Sequence, residues 1–381
     1  MQSHLRIGIL TEDYGYGGVQ RHSTGVIQAL RAKGHHVEAL CFRDIAPMQI
    51  AIDAGVAPVL VVTPKIFSKQ TARAVSDAVQ ALDLDVLLCV NQAASLRAVV
   101  ARTMARCKTP LLFALHTTKV PTWRGRLYLA LMAVASYAAR GMIFISANQQ
   151  AYLAGRGFKP HRPVLIRNGL DADRFPVVSA AERREARAGF GFPDEALVLG
   201  LLGVFRPEKN HPQLIRVAAA LRRSGRDVRL LLVGDGPTRA ACEEQAAALG
   251  LTSEVVFAGM LSDVRPAIAA LDAGVICSVA VETLSIAALE ILSCGVPMLM
   301  SDIGGAREIV QDGVNGYVFN AEDDAALESA IVRFDGDDRS RLAAEAGMIV
   351  RRDFRHDDMV TKYERLFQTA AAGRPQELSA G

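Results

Sequence analysis

Residues 273–301 read AGVICSVAVETLSIAALEILSCGVPMLMS, and the order of parts in this stretch decides the architecture. A strand-length apolar run (AGVICS, 273–278) enters a short turn holding Glu282, then an apolar helical segment, then Gly295 and a second apolar run (VPMLMS, 296–301). Neither run alternates polar with apolar residues, so both faces are buried, as in a parallel sheet covered by helices. The same alternation recurs upstream: LVLGLLG (197–203), VRLLLVG (228–234) and EVVFAG (254–259), with amphipathic stretches between them. Before a polar, charged segment at about 171–195 the series already runs once, through LRIGIL (5–10), HVEALCF (36–42), LDVLLCV (84–90), PLLFALH (110–116) and GMIFIS (141–146). Two α/β domains, each a doubly wound parallel sheet, are the expected architecture. The expected divisions are 1–175, 176–350, and a terminal segment 351–381 whose helix, Arg351 to Ala370, packs back toward the first domain and ends in a frayed tail.

Length agrees, since 381 residues exceed a comfortable single core. With 50% hydrophobic and 22% charged residues the chain is globular, which sets aside a disordered tether. The short apolar run near Met1 reads as a first strand and not a signal peptide. Leu127 to Ala139 is too short to span a bilayer and reads as a packed helix. The six cysteines are scattered, with no CxxC pair, and suit reduced thiols in a cytoplasm.

Ligands of open parallel sheets bind beyond the carboxyl ends of the strands, which singles out four loops. TEDYGYGGVQRH (11–22) places Gly15, Gly17 and Gly18 before a helix. Glycines there let backbone N–H groups reach an anion, and an ordinary tight turn explains them equally well, because the third glycine of GxGxxG is missing. His116 ends an otherwise apolar strand, where a structural hydrogen-bonding role competes with a functional one. VFRPEKNH (204–211) brings Arg206 and Lys209 close together before a helix; two cations suit a diphosphate, or form a solvated pair. In the fourth loop Glu282 precedes the helix, and Glu290 lies eight positions on, inside it. Thr283, Leu284 and Ser285 would then offer N–H groups to an anion at the helix N-terminus. Glu290, among apolar neighbours, needs hydrogen-bond donors such as ribose hydroxyls. A capping glutamate plus an incidental buried acid is the plain alternative.

In this order, GGVQR (17–21), VLIRNGLDADRF (164–175), FRPEKNH (205–211), LLVGDGP (231–237), VETLSIAALEILSCGVP (281–297) and GGAREIVQDGVNGYVF (304–319) make a chain that resembles the retaining GT-B glycosyltransferases carrying a Glu-x7-Glu signature, the group 1, family 4-like enzymes. The resemblance implies two Rossmann-like domains facing a central cleft, which closes on the substrates and excludes water. It implies that Glu282 contacts the transferred sugar and Glu290 the ribose, that Arg206 and Lys209 bind the diphosphate, and that His116 lies beside the donor sugar. Gly17 and Gly18 would face the phosphates or acceptor. Gly234 in GDGP, with Met260 and Leu261, would line the nucleoside pocket, and Thr283, Leu284, Ser285 and Ile286 would complete the donor site. Two departures stand out. The arginine often found five residues before the lysine is Val204 here, with Arg206 three before Lys209, and the common Glu-Gly-Phe-Gly opening is Glu-Thr-Leu-Ser.

The implied reaction transfers sugar from a nucleotide-diphosphate donor to a glycan, lipid-linked or small-molecule acceptor with retention of configuration. The donor is a substrate, and no further cofactor is expected. No Asp-x-Asp pair occupies a strand-end loop; Asp323 and Asp324, Asp337 and Asp338, and Asp357 and Asp358 fall in the helical tail, so turnover is expected without a divalent metal. A sugar-nucleotide epimerase of the same plan, and a silent nucleotide-sugar-binding subunit, are the rival readings. The chain's formal charge of +3 is unevenly divided: residues 1–175 hold 21 Lys and Arg against 10 Asp and Glu, and the remainder hold 22 against 30. The basic half includes Lys108, Lys119, Arg124 and Arg126, with Trp123 among them. That suits peripheral contact with an anionic membrane at its cytoplasmic face, or attraction between two oppositely charged domains; nothing points to nucleic acid.

Overall fold

The computed structural model describes residues 4–373 except 16, 48, 117–122 and 281. It divides into two compact units: residues up to Asn168 together with those from Asp357 onward, and Gly169–His356. The boundary therefore falls some residues before the expected 175.

The first unit is a seven-stranded parallel sheet of β1 (Arg6–Thr11), β2 (His36–Cys41), β3 (Val59–Leu60), β4 (Val86–Val90), β5 (Leu111–Leu115), β6 (Gly141–Phe144) and β7 (Pro163–Leu165). Their spatial order is β3-β2-β1-β4-β5-β6-β7. The intervening helices are α1 (Gly18–Ala32), α2 (Gln49–Asp53), α3 (Lys69–Ala81), α4 (Asn91–Met104), α5 (Trp123–Ala135) and α6 (Ala147–Ala154). Strands β4 (VLLCV) and β5 (LLFAL) are apolar and buried at every position, so helices must cover both faces.

The second unit orders β8 (Leu197–Leu202), β9 (Val228–Val233), β10 (Val255–Gly259), β11 (Ala273–Ile276), β12 (Met298–Ser301) and β13 (Gly316–Phe319) as β10-β9-β8-β11-β12-β13, again all parallel. Its helices are α7 (Ala180–Phe190), α8 (His211–Arg223), α9 (Arg239–Ala248), α10 (Arg265–Ala269), α11 (Ile286–Ser293), α12 (Ala306–Ile309), α13 (Asp324–Asp335) and α14 (Arg339–Asp353). Both sheets reverse their winding between two neighbouring strands, β1/β4 and β8/β11. Those are the topological switch points where doubly wound sheets bind ligands.

The single terminal helix expected over Arg351 to Ala370 is two helices. α14 stops at Asp353 because Phe354 is buried in the second unit's core, and Leu170 N–H donates to its carbonyl at 2.8 Å. The chain bridges Leu170 to Arg355 in parallel before α15 (His356–Ala371) begins. α15 belongs to the first unit, where Met359, Val360, Tyr363 and Phe367 share a core with Val26, Ile27 and Leu30 of α1. Its Glu364 accepts from Lys33 Nζ at 2.7 Å and lies 3.3 Å from His35 Nε2. Burial opposes ionisation of Glu364, but the bonds from Lys33 and His35 outweigh it and hold the carboxyl below the usual carboxylate range.

Candidate active site

In the second unit the loops after β8 and β11 flank the switch point and are tied directly together. Val279 N–H donates to the Glu208 carbonyl at 2.9 Å. Lys209 closes a short 3-10 turn, Pro207–Lys209, and Asn210 follows in the left-handed conformation at φ 52°, a region asparagine tolerates better than most residues. This turn aims Lys209 Nζ at Glu282 Oε2, 2.5 Å away, and Ser278 Oγ donates to the same oxygen at 2.9 Å. Glu282 is only 8% exposed, so its charge would be costly without these partners. Sequence alone had singled out Lys209 and Glu282 separately; the structure pairs them.

Two features hold the Glu282 loop in place. Gly304 has φ +60°, and a Cβ there would stand 1.4 Å from the Glu282 carbonyl oxygen, so only glycine fits. Gly305 N–H donates to the Thr283 carbonyl at 2.7 Å, and Ser301 Oγ to that of Ser278 at 2.7 Å. α11 begins at Ile286, with Ser285 as N-cap accepting from Ala288 N–H at 3.3 Å. The first intrahelical bond runs from Leu289 N–H to the Ser285 carbonyl, so the N–H groups without an intrahelical acceptor begin at Ser285, the last of the expected Thr283 to Ser285, and continue through Ile286 and Ala287. Thr283 and Leu284 are buried in the lead-in. Glu290, 3% exposed, sits one turn further among buried Ala288, Leu289, Ile291 and Leu292.

The remaining candidates of this unit lie in the loops after β8, β9 and β10. Arg206 is exposed, and among the described residues its guanidinium has no hydrogen bond or ion pair; Val204 is half-buried. Gly234, at φ +134°, packs against the Gly203 carbonyl, where a Cβ would come within 2.0 Å, and its N–H donates to the Gly259 carbonyl at 2.8 Å. The ends of β8, β9 and β10 are thereby drawn together. Beyond β10, Met260 is exposed and Leu261 packs against the core. His211, beside Lys209, stacks on Phe205 with centroids 4.0 Å apart, and its two ring nitrogens have no hydrogen-bond partner among the described residues. Burial, then the Lys209 charge, pushes its pKa down to about 4.

In the first unit, Gly15 N–H and Gln20 Nε2 both donate to Asp13 Oδ1, at 2.9 and 3.1 Å, folding the loop after β1 upon itself. Gly17 is extended at φ 161°, which any residue adopts, and Gly18 opens α1 facing open space. His116 follows β5, and its N–H donates to Asn91 Oδ1 at 2.9 Å; Gln149 Nε2 donates to the adjacent Leu115 carbonyl at 2.9 Å. Burial pushes His116 down to about 4, so the ring is neutral near pH 7. His22 of α1 lies 5.0 Å away, centroid to centroid, with its Nε2 3.1 Å from Tyr363 Oη. His22, Asn91, Gln149, Tyr363, Ser278 and Gly304 were not singled out from sequence. Asn91 alone carried a signal, as an asparagine directly after an apolar strand, where it adopts φ +66°.

Lys119 lies outside the described residues, as do the side chains of Trp123, Arg124 and Arg126. Lys108 is exposed between α4 and β5. All six cysteines are free and buried. Among the described residues no three His, Cys, Asp or Glu side chains converge to hold a metal ion, and no helix is long and apolar enough to cross a membrane.

Comparison with known proteins divides the chain as its fold does. Residues 182–346 match the family described as glycosyl transferases group 1, and residues 16–174 match glycosyltransferase family 4. Over 96% of its length the chain is 26% identical to a phosphatidyl-myo-inositol mannosyltransferase of Mycobacterium leprae, covering 97% of that protein. It is 36% identical over 173 residues to a GDP-mannose-dependent alpha-(1-6)-phosphatidylinositol monomannoside mannosyltransferase of Mycolicibacterium smegmatis, covering 43% of this chain and 44% of that one. The chain spans about half the length of several curated relatives it matches. Anabaena Alr3699/HepE, crystallised in complex with UDP and glucose, has the same fold: TM-score 0.85 at 23% identity, covering 96% of this chain and 100% of that one.

Proposed function

The chain belongs to the group 1, family 4-like glycosyltransferases of GT-B fold, and from that premise we propose that it is a retaining transferase carrying a sugar from a nucleotide-diphosphate donor to a lipid-linked or cell-envelope glycan. The observation that carries this reading is the pairing of half-buried Lys209 with buried Glu282 and Ser278 between the two loops of a switch point, beside the N-terminus of α11. An ammonium paired with a carboxylate close in sequence to a helix N-terminus suits a donor whose diphosphate gains negative charge while its sugar gains positive charge. Lys209 and the first-turn N–H groups of α11 stabilise the departing diphosphate. Glu282 orients the sugar and favours the positive charge developing at its anomeric carbon. The bond from anomeric carbon to phosphate oxygen breaks, the bond to the acceptor oxygen forms on the same face, and the acceptor's proton passes to the leaving phosphate. Exposed Arg206 would reach the distal phosphate, and Glu290 would hold the ribose.

The relatives support the donor class without choosing its base, since one bears GDP-mannose in its name and HepE was crystallised with UDP. The acceptor class rests on the relatives named for phosphatidylinositol substrates. A thermal-shift panel with UDP, GDP and ADP, followed by their sugar conjugates, tests the reading. One diphosphate should raise the melting temperature selectively, because a ligand that binds only the folded state stabilises it. Product analysis with the matching sugar nucleotide and a lipid-linked acceptor should then show transfer with retained configuration. No stabilisation by any of the three diphosphates overturns the assignment.

A further inference from the structure

We propose that the outward face of α5 docks the protein on an anionic lipid bilayer. The helix buries Leu129, Met132 and Ala135 and leaves Leu127 (55% exposed), Leu131 (38%) and Val134 (73%) on the other side. Spacings of four and three residues line these up as one stripe along the helix. Tyr128 (43%) flanks the stripe, and Tyr137 (72%), just beyond the helix, extends it and stacks on His161 at 4.9 Å. The helix expected to be packed is thus packed on one side only. Single exposed apolar residues are ordinary, but a contiguous row on one helix marks a surface with a partner.

Charge identifies the partner. From Val86 to Leu170 the chain carries twelve Lys and Arg and no Asp or Glu at all. This span builds β4 to β7 and α4 to α6, so α5 and the helix α4 packed beside it contain no acid. Arg106 and Lys108 are exposed after α4, and Arg156 and Lys159 at the end of α6 and beyond it. Arg156 covers the Tyr152 ring at 3.5 Å. An apolar helix face ending in an exposed tyrosine and set among cations has the composition of an interfacial element: apolar side chains enter the headgroup–acyl boundary, tyrosine sits at its level, and lysine and arginine meet anionic headgroups. A second copy fits poorly, because pairing two such faces would oppose two acid-free, basic surfaces. The inference takes its biological sense from the lipid-linked acceptor proposed above, but its test needs no sugar transfer.

The chain's one tryptophan, Trp123, is the first residue of α5 and serves as an internal probe. The full chain is titrated with vesicles of phosphatidylcholine alone, or with roughly 30% phosphatidylglycerol, at low and physiological salt. With anionic vesicles we expect a blue shift of Trp123 emission and its quenching by acyl-brominated lipid, both fading as salt rises. Leu127→Ser, Leu131→Ser and Val134→Ser combined should weaken partitioning by about tenfold or more while leaving the melting temperature and the nucleotide shift in place. If the triple variant melts early, Val134→Asp alone, at the most exposed position of the stripe, should show the same direction. Equal binding to neutral and anionic vesicles, or undiminished binding by these variants, overturns the proposal. So does a native chain that sizes as a dimer and becomes monomeric in the triple variant. A retained nucleotide shift with no vesicle binding sinks this proposal alone, whereas loss of the shift with vesicle binding intact sinks the enzymatic reading alone.

Discussion

At the carboxyl end of the second sheet the loops after β8, β9, β11 and β12 are joined to one another: Glu208 to Val279, Lys209 to Glu282, Gly203 against Gly234, Gly304 against Glu282. At the same end of the first sheet the loop after β1 is folded on itself through Asp13, the Arg43–Glu12 pair is exposed, and the residues that follow the neighbouring β4 and β5 are neutral, with His116 held through Asn91 and kept uncharged by burial. One unit fixes paired charges in place beforehand, which a charged leaving group requires. The other presents, after β4 and β5, uncharged ring and amide groups, which suit hydroxyls and cost less to desolvate than charges.

The sharpest way to break this contrast is to substitute one strand-end loop glycine in each unit. Gly304→Ala forces a Cβ against the Glu282 carbonyl at a left-handed φ, so the loop must move. We expect loss of the nucleotide thermal shift and a fall in kcat/KM of about a hundredfold or more, as for a misplaced catalytic group. Gly18→Ala places a Cβ in open space, and stability should change by no more than about 0.5 kcal/mol. Comparable damage at both positions would mean that the second unit's loops are not specially preorganised.

Within the second unit, Lys209→Ala should cost on the order of 2 to 4 kcal/mol of transition-state stabilisation, since it removes a preorganised donor and leaves Glu282 to Ser278 alone. Arg206→Ala, at an exposed side chain, should cost less, about 1 kcal/mol. Steady-state kinetics ranks the two; the reverse order would show that Arg206 has taken over the phosphate role. Glu282→Gln and Glu290→Ala should then differ in kind. Glu282 acts on charge that grows in the transition state, so kcat should fall with modest change in nucleotide affinity, whereas Glu290 makes a contact present throughout, so affinity should fall. Equal small effects on both constants at both sites would remove their separate roles.

How far each unit could be read in advance follows the same division. The strands were legible because parallel strands buried on both faces leave unbroken apolar runs, and the second unit's site was legible because its charged residues stand out against such runs. Ser278 and Gly304 were not legible as partners of Glu282, since their roles come from contact between loops and not from local pattern. β3, two exposed residues, carries no signal of its own. The polar segment 171–195 hid α7, whose Arg187 is fully buried against Asp272, because a buried arginine looks in sequence like a solvated one. The break at Phe354 depends on pairing with Leu170, far away in the chain. The exposed side of α5 was invisible for the complementary reason: an apolar segment does not announce which of its faces is covered.

The smallest expected effect concerns the property the two units share, a buried neutral histidine beyond the carboxyl end of a strand in each sheet. His116 and His211 each titrate at about 4 in the folded chain, against about 6.5 when exposed. Between those values the unfolded state binds more protons than the folded one, so stability must rise with pH across that window. It is fully present above about pH 6.5, declines as pH falls, and stops declining below about 4, where both states are protonated. At pH 5.5 each ring should cost about 1 kcal/mol relative to pH 7.5. Urea titrations at the two pH values measure the loss, and His116→Gln and His211→Gln should each remove its own share. If only one does, the histidine whose removal changes nothing is not neutral by burial, and the likeness between the two units ends at their strand order.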